Sequence, residues 1–257
     1  MRIKHSHSVF GLVLGSLLVL VFYFAGALPL YYLAFPLSFY LALNVYGVLY
    51  PASSFFIPVI SGNDRTDRVY LSFDDGPVAQ SQLVLDWLKE NNEKAIFFLI
   101  GNRVEQAPDI VRRIVAEGHL IGNHTFSHQN IFPLLNPGRI KKEIEDCQQV
   151  LPKPGTWFRP PFGVINPLVV SGIRQAGLKV MTWRRRSFDG VNTPREQVLK
   201  HLEKVKGGDI VLFHDTYPEI IDLLEEFKEL ILRKGLVFGD IHDLENQGSA
   251  EGLKRYR

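Results

Sequence analysis

No Asp, Glu, Lys or Arg occurs between Lys4 and Asp64, and that gap divides the chain into two parts suited to different solvents. Residues 9–50 are almost wholly apolar and aromatic. A helix needs about 20 such residues to cross a bilayer. The run is long enough for two spans, Val9 to Leu28 and Tyr31 to Tyr50, with Pro29 near the turn between them. It is far longer than the apolar stretch of about 7–15 residues in a secretory signal peptide, and no clear cleavage site follows it. The expectation is an integral protein of the cell membrane, held in lipid by a retained anchor. Its parts are a tail 1–8, a membrane segment 9–50, a linker 51–66 carrying Pro, Ser, Gly and Asn, a globular domain 67–246 and a tail 247–257. The side of the domain stays open. Arg2 and Lys4 favour a cytoplasmic N-terminus. One span then puts the domain outside, whereas two return it to the cytoplasmic face, where Arg65 and Arg68 also fit the positive-inside bias.

Removing Arg2 and Lys4 from the 29 basic residues leaves a domain whose basic and acidic residues balance, so composition gives no hint of a nucleic-acid partner. The single Cys147 excludes an internal disulfide and falls on the apolar face of a predicted helix, which reads as a packed, inert thiol.

Within the domain, short apolar runs alternate with amphipathic stretches. Strands are predicted at Val69–Phe73, Ala95–Ile100, Leu120–Asn123, Trp157–Arg159, Lys179–Trp183, Asp209–His214 and Leu236–Asp240. Helical spacing recurs in Ile140, Ile144, Cys147 and Leu151, in Val198, Leu199, Leu202 and Val205, and in Ile220, Leu224, Phe227 and Ile231. Asn136-Pro137, Asn166-Pro167 and Thr193-Pro194 each offer a capping side chain before a proline, and Glu196 adds a capping-box partner for Thr193. Such alternation calls for an α/β fold with a parallel sheet. About 180 residues is small for an eight-fold barrel, which usually takes roughly 250. A distorted seven-stranded (β/α) barrel fits better.

The chemistry-bearing residues fall at the C-terminal ends of these strands, where barrels carry their active sites. Asp74 and Asp75 follow the first strand, His124 and His128 the third, Arg159 the fourth, Asp189 the fifth, and His214 ends the sixth. Two adjacent carboxylates at a strand exit repel each other unless a cation intervenes. One can then bind a metal while the other serves as a base, and one Asp with two His leaves a coordination position open for water.

The segments Ser72-Phe73-Asp74-Asp75-Gly76-Pro77, His124-Thr125-Phe126-Ser127-His128, Phe158-Arg159-Pro160-Pro161-Phe162-Gly163 and Leu212-Phe213-His214-Asp215 together resemble the polysaccharide deacetylases with a NodB-type domain, carbohydrate esterase family 4. The resemblance runs from about Arg68 to Leu244. It implies that Asp75, His124 and His128 bind a divalent metal, commonly zinc. It further implies that Asp74 is the general base, that His214 is the acid protonating the leaving amine, and that Arg159 holds Asp74. The Phe162 N–H would help stabilise the oxyanion. One motif departs from the family pattern of Asp, two residues, then Asp-Trp. Here Trp183-Arg184-Arg185-Arg186-Ser187-Phe188-Asp189-Gly190 keeps Asp189 as the second acid, to orient His214. Arg186 stands for the first acid and Gly190 for the tryptophan, which alters the sugar-site wall that includes Trp183. The arginine cluster reads either as a solvated loop or as a contact for a substrate phosphate or carboxylate.

The expected activity is metal-dependent removal of N-acetyl groups from amino sugars of peptidoglycan, of another polysaccharide or of a lipid-linked glycan. The alternative is a catalytically inactive, membrane-anchored carbohydrate-binding protein. Phosphoester hydrolysis would also use clustered Asp and His, but such sites often hold two metals and need more carboxylates than these motifs supply.

Overall fold

The computed structural model describes residues 3–152, 156–190 and 193–245; the predicted tail 247–257 and Arg2 lie outside them. Two apolar helices, α1 (His5–Phe24) and α2 (Ala34–Leu49), pack as a hairpin, and Pro36 closes to 3.1 Å of where a Cβ on Gly15 would sit. Two stretches, His5–Phe24 and Leu30–Leu49, are long and apolar enough to cross a membrane. The first helix therefore begins inside the predicted tail 1–8, because neither His5 nor His7 interrupts it. Most of the hairpin's large side chains are exposed, Phe10 at 68% and Phe24 at 82%.

The stretch 51–66 is not the free linker its composition suggests. Phe55, Phe56 and Val59 are buried in one apolar cluster with Phe158, Val169 and Ile173, and Val59–Ile60 forms a strand, β1. Pro and Ser flank these apolar residues in the chain and obscure them. The same segment joins the hairpin to the domain: the His5 N–H donates to Phe55 O at 2.8 Å, and the His5 ring packs on Phe55 and Phe56.

The remaining elements alternate: β2 (Arg68–Asp74), α3 (Ala79–Glu90), β3 (Ala95–Leu99), α4 (Gly101–Gln106), α5 (Pro108–Ala116), β4 (Leu120–Asn123), α6 (Pro137–Val150), β5 (Trp157–Phe158), α7 (Pro167–Ala176), β6 (Lys179–Met181), β7 (Arg185–Arg186), α8 (Arg195–Leu202), β8 (Ile210–His214), α9 (Ile220–Arg233), β9 (Val237–Phe238) and α10 (His242–Glu245). All seven predicted strands are present, and β1 and β7 bring the sheet to nine. The order is β1-β6-β5-β4-β3-β2-β8-β7, every named pairing is parallel, and β9 adds to β2. The sheet is a curled half-barrel. Residues following β1 bridge antiparallel from Gly62 to Asp209 at the start of β8.

Successive side chains in a strand point to opposite faces. Val69, Leu71 and Phe73 of β2, Phe97 and Leu99 of β3, and Val211 and Phe213 of β8 go outward under α3, α5 and α9. Tyr70, Ile96, Phe98, Met181 and Ile210 form a separate inner core. Ser72, Asp74, Leu212 and His214 belong by the same period to the inner face. Burial on both faces explains why these strands read as nearly continuous apolar runs.

Asn136 caps α6, its side chain accepting from Arg139 N at 3.0 Å, and Asn166 caps α7, accepting from Val169 N at 2.9 Å. Thr193 does not cap. α8 starts after Pro194 without a side-chain cap, because Thr193 is held by its backbone, its carbonyl accepting from the Tyr217 hydroxyl at 2.9 Å. Cys147 is buried, and burial pushes its thiol up to about 12, which keeps it inert.

Candidate active site

Strand register brings the scattered residues together. Asp74 lies opposite Phe98 of β3 and opposite His214 of β8. Leu99 lies opposite Asn123, and Asn123 opposite Phe158. The strands therefore end level, so that Asp75 and His124 enter one cleft and Arg159 lies buried just behind it. A cavity of about 190 Å³ is lined by Asp74, Asp75, His124, His128, Trp183 and His214, with Phe162, Arg186 and Asp189 also on its wall.

Ligand atoms of Asp75, His124 and His128 all lie within 4.8 Å of one another. Asp75 Oδ1 is 3.5 Å from His124 Nε2 and 3.4 Å from His128 Nε2. That oxygen is buried with no hydrogen-bond partner, as suits an atom shaped to meet a cation. His124 Nδ1 lies 2.7 Å from Arg159 O, which fixes the ring and leaves Nε2 facing the cluster. Burial opposes ionisation of Asp75, yet the close approach of the His124 imidazole and the charges of His128 and His214 hold its carboxyl well below the usual range. Burial likewise works against a charged His124, but Asp74 and Asp75 raise it above its ordinary value. The cluster draws positive charge, and the donor set suits a divalent ion.

Asp75, Thr125, His128 and Phe162 all have φ between 49° and 73°. This left-handed backbone in bulky residues is sustained by local bonds. Thr125 N donates to Asn123 Oδ1 at 2.9 Å and His128 N to Thr125 Oγ1 at 3.1 Å. Glu143 of α6 grips the loop, accepting from Ser127 N at 2.9 Å and Ser127 Oγ at 2.8 Å. Arg103 donates to the Asp75 carbonyl. Gly76 must lack a side chain, since a Cβ there would sit 2.4 Å from Asp215 Oδ2.

Arg159 is wholly buried. Its Nη1 donates to Asp74 Oδ1 at 2.6 Å and Ser72 Oγ at 3.0 Å, its Nε to Met181 O at 3.2 Å, and its Nη2 to Thr182 O at 3.0 Å. On the other side of Asp74, His214 Nδ1 is 2.6 Å from Asp189 Oδ1, and His214 N donates to Asp189 Oδ2 at 2.7 Å. Burial lowers the basicity of His214, but the Asp189 bond and charge, with Asp74 and Asp75 behind them, raise it to about 9. Ser187 Oγ donates to Asp189 Oδ1 at 2.5 Å. Trp183 packs on Gly163, where a Cβ would come within 2.4 Å of its ring. The Phe162 ring meets His128 at 5.1 Å.

Every predicted site residue except Arg159 lines the cleft, and Arg159 lies buried behind it, bonded to Asp74. Sequence reading missed Ser72, Arg103 and Glu143, whose partners come from other elements, and Ser187, which bonds Asp189 two residues on. It also missed Asp215, although this residue adjoins His214. Asp215 is fully buried under the Gly76 loop, its Oδ2 accepting from Ser81 Oγ. Burial pushes its carboxyl up to about 7 against that hydrogen bond. His119, His201 and His242 stay outside the cleft.

The family model for polysaccharide deacetylase matches residues 61–181. The chain is 35% identical over 178 residues to a peptidoglycan-N-acetylglucosamine deacetylase of Bacillus cereus, covering 63% of this chain and 82% of that protein. It is 34% identical over 172 residues to chitin deacetylase 2 of Saccharomyces cerevisiae, covering 62% of this chain and 54%, about half, of that one. Among solved structures, a family 4 carbohydrate esterase from Streptomyces lividans in complex with acetate is 28% identical, with a TM-score of 0.63 over 69% of this chain and 94% of that one. Sequence, sheet and cleft agree, and the chain belongs to the polysaccharide deacetylase family, carbohydrate esterase family 4.

Proposed function

We propose that this protein is a membrane-anchored, metal-dependent hydrolase that removes N-acetyl groups from amino sugars of a glycan. The observation that carries this reading is the convergence of Asp75, His124 and His128 around the unpartnered Asp75 Oδ1, flanked by Asp74–Arg159 and His214–Asp189 pairs. Asp75, His124 and His128 would hold the divalent ion, with zinc the best match to one carboxylate and two imidazoles. When bound, such an ion polarises the amide carbonyl and lowers the pKa of water.

The rest is done by the chain. Asp74 is held in place by Arg159 and takes the proton from the attacking water. His214 is charged at neutral pH and hands a proton to the departing amine, which leaves only when protonated. Asp189 fixes the His214 tautomer with the proton on Nδ1 toward the carboxylate, so Nε2 faces the cleft. Phe162, on the cavity wall, would offer its amide as the oxyanion donor, and Trp183 the wall against which the sugar rests. A sugar-binding protein without catalysis would be free to lose one of these groups, yet all are present. Among the described residues a single metal-ligand cluster occurs, which disfavours two-metal phosphoester chemistry.

The hairpin supports a domain on the same side of the membrane as Lys4, because His5 and Phe55 meet at one end of it. A cytoplasmic domain would suit a lipid-linked precursor, and an external one a wall glycan. The full-length chain, expressed and recovered in membranes, is expected to resist an alkaline carbonate wash. Supplied with zinc, it is expected to release acetate from chitooligosaccharides, peptidoglycan or lipid-linked N-acetylglucosamine. Recovery in the supernatant would refute the anchor. Failure to release acetate from any of the three would refute the deacetylase.

His214 sets the alkaline limb of the pH profile. As the acid it must carry its proton, so activity is present below its pKa of about 9 and lost as pH rises through it. Asp189→Asn removes the largest raising influence. The limb in kcat/KM should move to lower pH by about 1 unit or more. An unmoved limb would show that another group sets it.

A further inference from the structure

Of the three consecutive arginines before Ser187, the scaffold uses two. Arg184 Nη1 donates to Asn63 O at 3.0 Å, and Arg185 Nη2 to Lys204 O at 2.9 Å. The Arg186 side chain has no hydrogen bond or ion pair among the described residues, and its Nε is buried without a partner. It is nevertheless held in place. Its guanidinium carbon lies 5.7 Å from the Trp183 ring centroid and 5.2 Å from that of Phe188. It also lines the catalytic cavity.

Register shows where it points. Arg186 lies opposite Leu212, so the two side chains share a face. Leu212 and His214, two residues apart on β8, share that face too. Arg186 therefore emerges on the cavity side, one strand over from His214 and about 7 Å from it along the strand direction at the usual rise per residue. That span is about the size of one sugar ring.

A buried, unpaired donor costs free energy unless a partner arrives. A guanidinium steadied on two aromatic faces loses little freedom when it binds, and its fork matches an oxyanion. We propose that Arg186 is an anion subsite at the catalytic cleft, and that the substrate carries a phosphate or a carboxylate on, or next to, the N-acetylated sugar. This deepens the deacetylase reading and rests on it. It also explains why an arginine is useful where an acid would repel such a substituent.

The test is equilibrium binding to the full-length, zinc-loaded Asp74→Asn protein, whose substrates are not consumed. The probes are N-acetylglucosamine 1-phosphate, N-acetylmuramic acid and the neutral methyl N-acetylglucosaminide. At least one charged probe should bind about tenfold more tightly than the neutral one, and whichever does names the group. The preference should vanish in an added Arg186→Gln, return in part in Arg186→Lys, and survive Arg185→Gln. Equal binding of all probes would overturn the proposal. So would an equal loss for all in Arg186→Gln, which would mark Arg186 as a wall, or no binding of either charged probe up to about 10 mM. Acetate release by the unmodified protein separates this from the parent reading. Anion preference without acetate removes the hydrolase and keeps the subsite, whereas acetate without preference does the reverse.

Discussion

His124→Ala should abolish tight zinc binding and lower kcat/KM for deacetylation by about 10³-fold or more, beyond the 10–100-fold typical of groups that merely support a metal ligand. His124 occupies the centre of the cluster: fully buried, with Nδ1 anchored on the Arg159 carbonyl and Nε2 facing both Asp75 and Asp74. Its loss leaves Asp75 with His128 alone, and two ligands do not make a hydrolytic site. Zinc affinity, measured by competition with a chromogenic chelator, and acetate release should fall together. Circular dichroism and thermal unfolding without metal will show whether the variant keeps its fold. A folded His124→Ala protein that binds zinc as tightly as the parent would exclude this triad as the metal site.

Arg159→Met should be the most damaging single change to stability, at about 3–5 kcal/mol. The guanidinium makes four hydrogen bonds in a space closed to solvent, and it rests 3.9 Å from the Phe98 ring centroid. Removing it strands the buried Asp74 carboxylate and leaves the Met181 and Thr182 carbonyls without these donors. A domain of this size should then melt roughly 10 °C lower. Arg159→Lys should rescue little, because one ammonium cannot reach, as a planar fork does, acceptors on β2 and at the end of β6 together. Adding Asp74→Asn to Arg159→Met should restore much of the stability, since the stranded charge is gone, but none of the activity. A single-variant loss below about 1 kcal/mol would mean that water or rearrangement compensates Asp74.

The motif residues were legible because chemistry demands particular types at particular strand exits. Asp74, Asp75, His124, His128, Arg159 and His214 had to sit at the ends of apolar runs, and apolar runs are visible in one dimension. The Asn136 and Asn166 caps were legible for a similar reason, since a cap and its partner amide lie within one turn. Thr193 has the same local signature and fails, because Tyr217, far along the chain, holds its carbonyl instead. The stretch 51–66 misled in the other direction. Its prolines and serines suggest a tether, whereas Phe55, Phe56 and Val59 find a hydrophobic partner only once β5, β6 and α7 have assembled.

Local pattern by itself determined that this chain would build a parallel α/β sheet beside an apolar helical pair, with acids and imidazoles at one rim. Periodicity and residue chemistry act over a few residues and leave their trace in order. The tertiary structure alone decided the register that sets Asp74 against His214, the grip of Glu143 on the histidine loop, and which of three identical arginines lines the cleft without a partner among the described residues. Those outcomes depend on contacts between segments tens to more than a hundred residues apart, where the free energy of packing chooses among partners that sequence spacing cannot rank.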